Sequence, residues 1–400
     1  MFFACAPLLP AQQPFSLADA DQRAASIFQQ SAVTGMVLVV VRGQEVLIKT
    51  YGETYPGSLH PPEANSEVRL CSVSKVFTTD LLTQLVAAGK VSLTDPLQRY
   101  APKGKLVPQS VDGRQITLID LATHTAGLTR EVSSYPRKTP HFTFPDYAFR
   151  WNWLPSQQLT TPPGAAALYS NIGFDLLGDA LASASNESYA RLLHDSLLQP
   201  LHMWDTTLVP SADQCARLLR GASDEGPCTD TQPSGASGGI YSTPADMAKF
   251  LQYLLHAPGS LAQSDAAQSI VLKPDQLKFI QGLNHAGDPT GIGLAWIQLG
   301  DPATPSVILE KTGGGAGFGT YIALNRHSQT GIFLAITDGK GKSQVDFFEE
   351  SNNLLAALAN VPPLPLKLHR VHPARRHPTP RRSSTRRAKA NSRTSATPAR

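Results

Sequence analysis

Val68-Arg69-Leu70-Cys71-Ser72-Val73-Ser74-Lys75 leads from a short apolar run into a helix-period pattern, Val76 to Ala88, that Gly89 stops. Residues i and i+3 share a helix face, so this spacing sets the Lys75 amine beside the Ser72 hydroxyl. The start of a helix adds unpaired N–H groups and the positive end of a dipole, both favourable to negative charge at Ser72. An isolated S-x-x-K arises by chance in many proteins and carries little alone. Two further elements give it weight: Tyr169-Ser170-Asn171, after the turn signal Pro162-Pro163-Gly164, and Lys311-Thr312-Gly313 at the end of a strand pattern. Together they supply a hydroxyl, two ammonium groups, a phenol and an amide.

Outward from this centre, Met36 to Val41 and Val46 to Tyr51 are apolar, β-branched runs separated by Arg42-Gly43-Gln44-Glu45, the pattern of a β-hairpin. Toward the other end, Gly291 to Gln298, Ser306 to Thr312, Thr320 to Leu324 and Gly331 to Thr337 read as strands divided by turn residues. Helix-period segments fill the middle: Val76 to Ala88, Phe174 to Ala184, Tyr189 to Leu198 and Ala245 to Leu255. The pattern predicts an α+β fold, an antiparallel sheet built from both termini and flanked by helices, with a mostly helical insertion and a cleft where the two parts meet. A last helix, Val345 to Ala359, precedes Pro362, Pro363 and Pro365. No internal repeat is present.

The 400 residues carry a net charge of +4, but residues 361–400 hold eleven Lys or Arg and no Asp or Glu. Without those eleven, the body has 24 basic against 31 acidic residues, so the overall charge does not describe a nucleic-acid groove and no nucleic acid is expected as partner. The basic, Pro-, Arg- and Ser-rich tail has too few large apolar residues to offset the entropy of ordering and is expected to be disordered. Its expected partner, if any, is an anionic envelope polymer or the membrane surface. Residues 1–20 read as a remnant signal or disordered terminus, because Met1 to Gln12 is apolar and ends in Leu9-Pro10-Ala11. Periplasmic or other export is therefore expected. No run reaches the roughly 18 apolar residues of a membrane-spanning helix. The four cysteines show no zinc spacing, so neither a metal nor another cofactor is implied. Cys215 and Cys228 flank a polar loop and can bridge in an oxidising compartment, whereas Cys71 reads as a small buried hydrophobe.

The order and broad spacing of the three elements are those of serine acyl-transfer enzymes. The chain resembles the class C β-lactamases and the related low-molecular-mass penicillin-binding proteins over about residues 20 to 360. The resemblance also rests on Leu121-Ala122-Thr123-His124-Thr125-Ala126-Gly127-Leu128, Val91 to Pro96 and Gly238-Gly239-Ile240-Tyr241-Ser242-Thr243-Pro244. Within that family it is most similar to the periplasmic D-alanyl-D-alanine carboxypeptidase/endopeptidase subgroup of AmpH type, through Tyr51 to Thr54, Tyr169 to Leu177, the glycine run after Lys311 and the placement of Cys215 and Cys228.

The resemblance implies a β-lactamase/transpeptidase-like fold over residues 21–360 and a Ser72 nucleophile activated by Lys75 and Tyr169, with the choice of base left open. It implies an oxyanion hole from the backbone N–H of Ser72 and Gly314, a substrate carboxylate read by Lys311, Thr312 and Gly313, and a substrate amide bound by Asn171. Expected ligands are peptidoglycan peptides and β-lactams, taken up by a D,D-carboxypeptidase/endopeptidase. The alternatives are a class C-type β-lactamase, an esterase or D-amino-acid peptidase, or a non-hydrolytic wall sensor. Rival readings of single features are weaker. The glycine run 313–319 lacks the spacing of a phosphate loop, and His124 lacks the G-x-S-x-G context of a Ser-His-Asp site. Trp151, Trp153, Phe142 and Phe144 either rim the cleft or pack.

Overall fold

The computed structural model describes residues 14–132, 135, 145–223, 226–256 and 265–365. The segment Met1 to Gln12, Phe142, Phe144 and the basic tail from Lys367 lie outside the described residues. The strands, in chain order, are β1 Gly35–Arg42, β2 Glu45–Gly52, β3 Val68–Arg69, β4 Ala167–Leu168, β5 Tyr241–Ser242, β6 Ile270–Leu272, β7 Ile280–Gln281, β8 Gly291–Gly293, β9 Ile297–Leu299, β10 Ile308–Gly315, β11 Phe318–Asn325 and β12 Thr330–Thr337. Eight of them form one antiparallel sheet in the order β2-β1-β12-β11-β10-β9-β8-β6. Strand β1 of the first hairpin pairs with β12, Val39 opposite Phe333, so the two ends of the fold meet within the sheet.

Alternation along β1 explains why its sequence is an unbroken apolar run. Met36, Leu38 and Val40 face one layer and Val37, Val39 and Val41 the other, and all six are fully buried. The first layer contains α1 (Leu17–Ser31), through Ala20, Ala24 and Ile27, and the C-terminal helix Phe347–Leu358, through Leu354, Leu355 and Leu358. Helix α1 departs from expectation, since it overlaps the segment read as an unstructured terminus. Ser16 and Asp19 form a capping box at its start, and small Ala20 and Ala24 let it lie close to the sheet. The opposite layer holds α2 (Ser74–Ala87) and, in chain order, α3 (Leu118–Ala122), α4 (Tyr147–Trp153), α5 (Asn171–Ser185), α6 (Tyr189–Leu193) and α8 (Pro244–His256), while the short α7 (Ala212–Ala216) has no buried residue. Phe77 of α2 stacks on Phe250 of α8 with ring centroids 3.9 Å apart.

Several sequence boundaries move. Gly291 to Gln298 is two short strands, because Leu294, Ala295 and Trp296 make a turn in which Ala295 takes φ 64 and Gly293 N–H donates to Trp296 O. Tyr189 to Leu198 begins as α6 and widens into a π-turn from His194. Helix α5 starts three residues earlier than expected, since Ser170 Oγ accepts the Gly173 N–H at 2.9 Å. Cys215 of α7 is joined to Cys228, their Cα atoms 5.7 Å apart. Closing that loop is worth about 3 kcal/mol in the chain-entropy model. No helix of the described residues is long and apolar enough to cross a membrane.

Candidate functional site

Ser72 lies in a 3-10 turn, Cys71–Val73, that runs straight into α2. Cys71 before it takes a left-handed φ of 50, uncommon for a residue with a side chain. The turn is fastened from three sides: Leu70 N–H donates to Ile240 O, Ile240 N–H to Ser74 Oγ at 3.1 Å, and Thr320 Oγ1 to Leu70 O at 2.9 Å. Lys75, one helical turn on, is fully buried. Its ammonium donates to Ser72 Oγ at 3.2 Å, Asn171 Oδ1 at 2.6 Å and Ser237 O at 2.5 Å. Burial holds its pKa well below the usual lysine range, which Asp175 and Glu131 only partly oppose.

Tyr169, just ahead of α5, hydrogen-bonds Ser72 Oγ through its phenol. Three cations surround its ring: Arg130 Cζ at 4.7 Å, Lys75 Nζ at 4.8 Å and Lys311 Nζ at 5.5 Å from the centroid. Burial pushes the phenol pKa up, and Lys311 first among the neighbouring charges pulls it back. Either Lys75 or Tyr169 is therefore placed to take the Ser72 proton. The opposite wall is β10, where Lys311 is buried and donates to Thr312 O at 2.7 Å. Gly313 is glycine for want of space. A Cβ there would lie 2.2 Å from Thr320 Oγ1, 2.8 Å from Leu70 O and 3.0 Å from Ser72 N.

These parts line one cleft of about 180 Å³ containing Ser72, Tyr169, Lys311, Thr312, Gly313 and Gly314. Arg130, His285 and Phe348 complete its lining and were not singled out in the sequence. Arg130 lies two residues beyond the Leu121–Leu128 motif and could have been suspected; His285 and Phe348 lie in no motif. Asn171 accepts the Lys75 hydrogen bond through its amide oxygen and donates one N–H of its NH2 to Glu131. A side-chain amide has a second N–H and a second lone pair, so these contacts leave capacity for a substrate amide. His124 is buried, accepts the Ser170 N–H at 3.0 Å and stacks on Tyr169 at 4.5 Å. Burial holds its pKa well below the ordinary value, so it supports the phenol as a neutral ring. Trp151 is buried and donates to Asp179, away from the cleft. Among the described residues no cluster of three His, Cys, Asp or Glu could hold a metal ion.

The sequence profile of the Beta-lactamase family matches residues 20–353. The chain is 38% identical over 346 residues to the D-alanyl-D-alanine-carboxypeptidase/endopeptidase AmpH of Escherichia coli K12, covering 86% of this chain and 90% of that one. A crystal structure of a beta-lactamase/D-alanine carboxypeptidase from Yersinia pestis, complexed with citrate, matches with a TM-score of 0.80 at 38% identity, over 86% of this chain and 99% of that one. A class C beta-lactamase structure, 21% identical with a TM-score of 0.68 over 85% of this chain and 94% of that one, shares the fold. The sheet and helices are thus those of the β-lactamase/transpeptidase-like fold, and the chain belongs to the beta-lactamase family of serine hydrolases.

Proposed function

We propose that this chain cleaves the D-Ala–D-Ala end of peptidoglycan peptides through an acyl-enzyme on Ser72, as a D,D-carboxypeptidase and endopeptidase, and takes penicillins covalently at the same serine. The observation that carries this reading is the Ser72 hydroxyl held between the Lys75 ammonium, at 3.2 Å, and the Tyr169 phenol, in a cleft walled by Lys311, Thr312, Gly313 and Gly314. The 38% identity with the Escherichia coli carboxypeptidase/endopeptidase supports it.

In the first step the Ser72 proton passes to the neutral amine of Lys75 or to the phenolate of Tyr169, and Oγ bonds to the substrate carbonyl carbon. The resulting oxyanion is received by the backbone N–H groups of Ser72 and Gly314, each such donor being worth about 3 kcal/mol. The leaving amine takes the proton as its C–N bond breaks. Water then attacks the acyl-enzyme, its proton returning to Ser72 and its hydroxyl to the product acid. Lys311 and the Thr312 hydroxyl bind the terminal carboxylate, and Asn171 keeps Lys75 aimed at Ser72.

The proposed catalytic domain is residues 21–360, with α1 extending it to Leu17. Action in the periplasm or another exported compartment accords with the Cys215–Cys228 disulfide, since such bonds persist in oxidising surroundings. The tail from Lys367 is proposed to hold the enzyme to anionic envelope polymers or the membrane surface. Labelled penicillin should mark the wild-type protein and not Ser72→Ala, while the wild type releases D-Ala from a muropeptide ending in D-Ala-D-Ala. Labelling of Ser72→Ala at another residue rejects the nucleophile, and rapid penicillin turnover without D-Ala release rejects the peptide substrate in favour of a β-lactamase.

A further inference from the structure

The cleft holds more positive charge than one terminal carboxylate requires. Lys75 commits its ammonium to Ser72, Asn171 and Ser237. Among the described residues Lys311 makes one hydrogen bond, to Thr312 O, which leaves donors for a substrate carboxylate. His285 on the rim has its pKa lowered, chiefly by burial, and adds no charge at neutral pH. Arg130 remains. Its guanidinium lies 4.7 Å from the Tyr169 ring centroid and lines the cleft with Ser72 and Lys311.

The backbone of Arg130 is fixed while its side chain is free to serve a ligand. Arg130 O accepts the Asn171 N–H at 2.9 Å and the Ile172 N–H at 3.4 Å, and Thr129 O accepts Ser170 Oγ at 2.7 Å. This locks the segment onto the start of α5, beside Tyr169. The side chain is 58% exposed, and its one ion-pair contact among the described residues is Nε to Glu131 Oε1 at 4.0 Å. Glu131 is itself drawn away by the Asn171 amide. Arg130 thus brings an exposed guanidinium to the cleft lining, and a guanidinium is a planar fork of N–H donors able to bind a carboxylate through two hydrogen bonds.

We infer that Arg130 is a specificity-determining residue that binds a second carboxylate of the substrate, so that the preferred substrates are acidic peptides bearing one carboxylate beyond the terminal one held by Lys311. The inference rests on the acyl-transfer reading of the same cleft. A peptide carrying both groups satisfies Lys311 and Arg130 together, whereas an amidated one leaves the guanidinium to water.

The test uses two peptides ending in D-Ala-D-Ala that differ only in a second carboxylate, free in one and amidated in the other. Each is measured for D-Ala release and for the concentration that halves penicillin labelling of Ser72. The free acid should compete better by about 10- to 100-fold, the span of a charge-assisted hydrogen bond to a carboxylate. Arg130→Gln should bring the ratio between the two peptides close to one, and Arg130→Lys should keep part of it. The labelling stoichiometry reports the folded fraction of each variant. Equal competition by both peptides on the wild type overturns the inference. So does an Arg130→Gln variant that weakens both peptides in the same proportion and shifts the pH profile of labelling, because Arg130 then acts on the Tyr169 phenol. Absence of D-Ala release with intact competition contradicts the proposed function alone, since competition still decides the role of Arg130.

Discussion

Lys75 and Lys311 are both buried and both border Tyr169, yet the regions that hold them do different things to an ammonium group. Helix α2 and its neighbours surround Lys75 with three acceptors of fixed geometry, one of them the nucleophile. Among the described residues strand β10 gives Lys311 one acceptor and a face on the open cleft. Burial lowers both pKa values. The same side chain is thus set up once to exchange a proton with a neighbour and once to meet a charge that arrives from outside. The partners, more than the depth of burial, separate the two roles.

The comparison can be broken most sharply by removing each ammonium in turn. Lys75→Arg, which stays charged, should slow penicillin acylation by about 100- to 10,000-fold on every substrate, the range of a lost general base. Lys311→Ala should cost about 10- to 100-fold, and only with substrates that carry a terminal carboxylate. The neutral amine is the form of Lys75 that accepts a proton. Its lowered pKa therefore predicts a wild-type rate that falls as pH drops through that pKa, a limb missing from Lys75→Arg. Stopped-flow acylation across the neutral pH range measures both, and equal losses on carboxylated and neutral ester substrates for Lys311→Ala would remove the distinction.

The backbone around the two lysines differs as well. On the β10 side the constraint is space: Gly313→Ala puts a Cβ against Leu70 O and Ser72 N, both main-chain atoms that cannot swing aside. Overpacking of this kind costs about 1–3 kcal/mol, and here it also pushes the strand off the nucleophile turn. Acylation should therefore fall by more than thermal unfolding alone explains. A variant with wild-type acylation and only a lowered Tm would show that the close approach is structural.

On the α2 side the constraint is conformation. Cys71 holds φ 50 with a Cβ attached, and its thiol is 3.5 Å from Gly315 O. Cys71→Gly relieves a left-handed strain of about 1–2 kcal/mol and gives up a buried thiol, so the two effects nearly offset and Tm should move by only a few degrees. This smallest effect is read by calorimetry. A large loss of stability would mean that the thiol packing, and not the turn geometry, fixes Ser72.

Much of this is legible in the sequence because it is local. The Ser72–Lys75 spacing is a property of one helical turn, and the apolar alternation of Met36 to Val41 states that two layers must cover β1. Helix α1 escapes a reading by pattern because alanines at its buried positions give a weak apolar stripe, and the hydrogen bonds of Asn171 to Lys75 and Glu131 escape it because those partners come from other segments. Arg130 carries no signal beyond its nearness to a motif, since an exposed arginine beside a loop has the look of any solvated charge.

The sequence by itself determined the residue types that can do acyl transfer, their order, and the strands and helices on which they ride, because these depend on side-chain chemistry and on the periods of about 2.0 and 3.6 residues that relate neighbouring positions. The tertiary structure decided that Ser72, Tyr169 and Lys311 share one cleft. It also decided that Asn171 serves Lys75 and that Arg130 overlooks the phenol. Those facts follow from burying both faces of a single sheet whose strands come from the two ends of the chain, and that packing is a property of the whole fold rather than of any one segment.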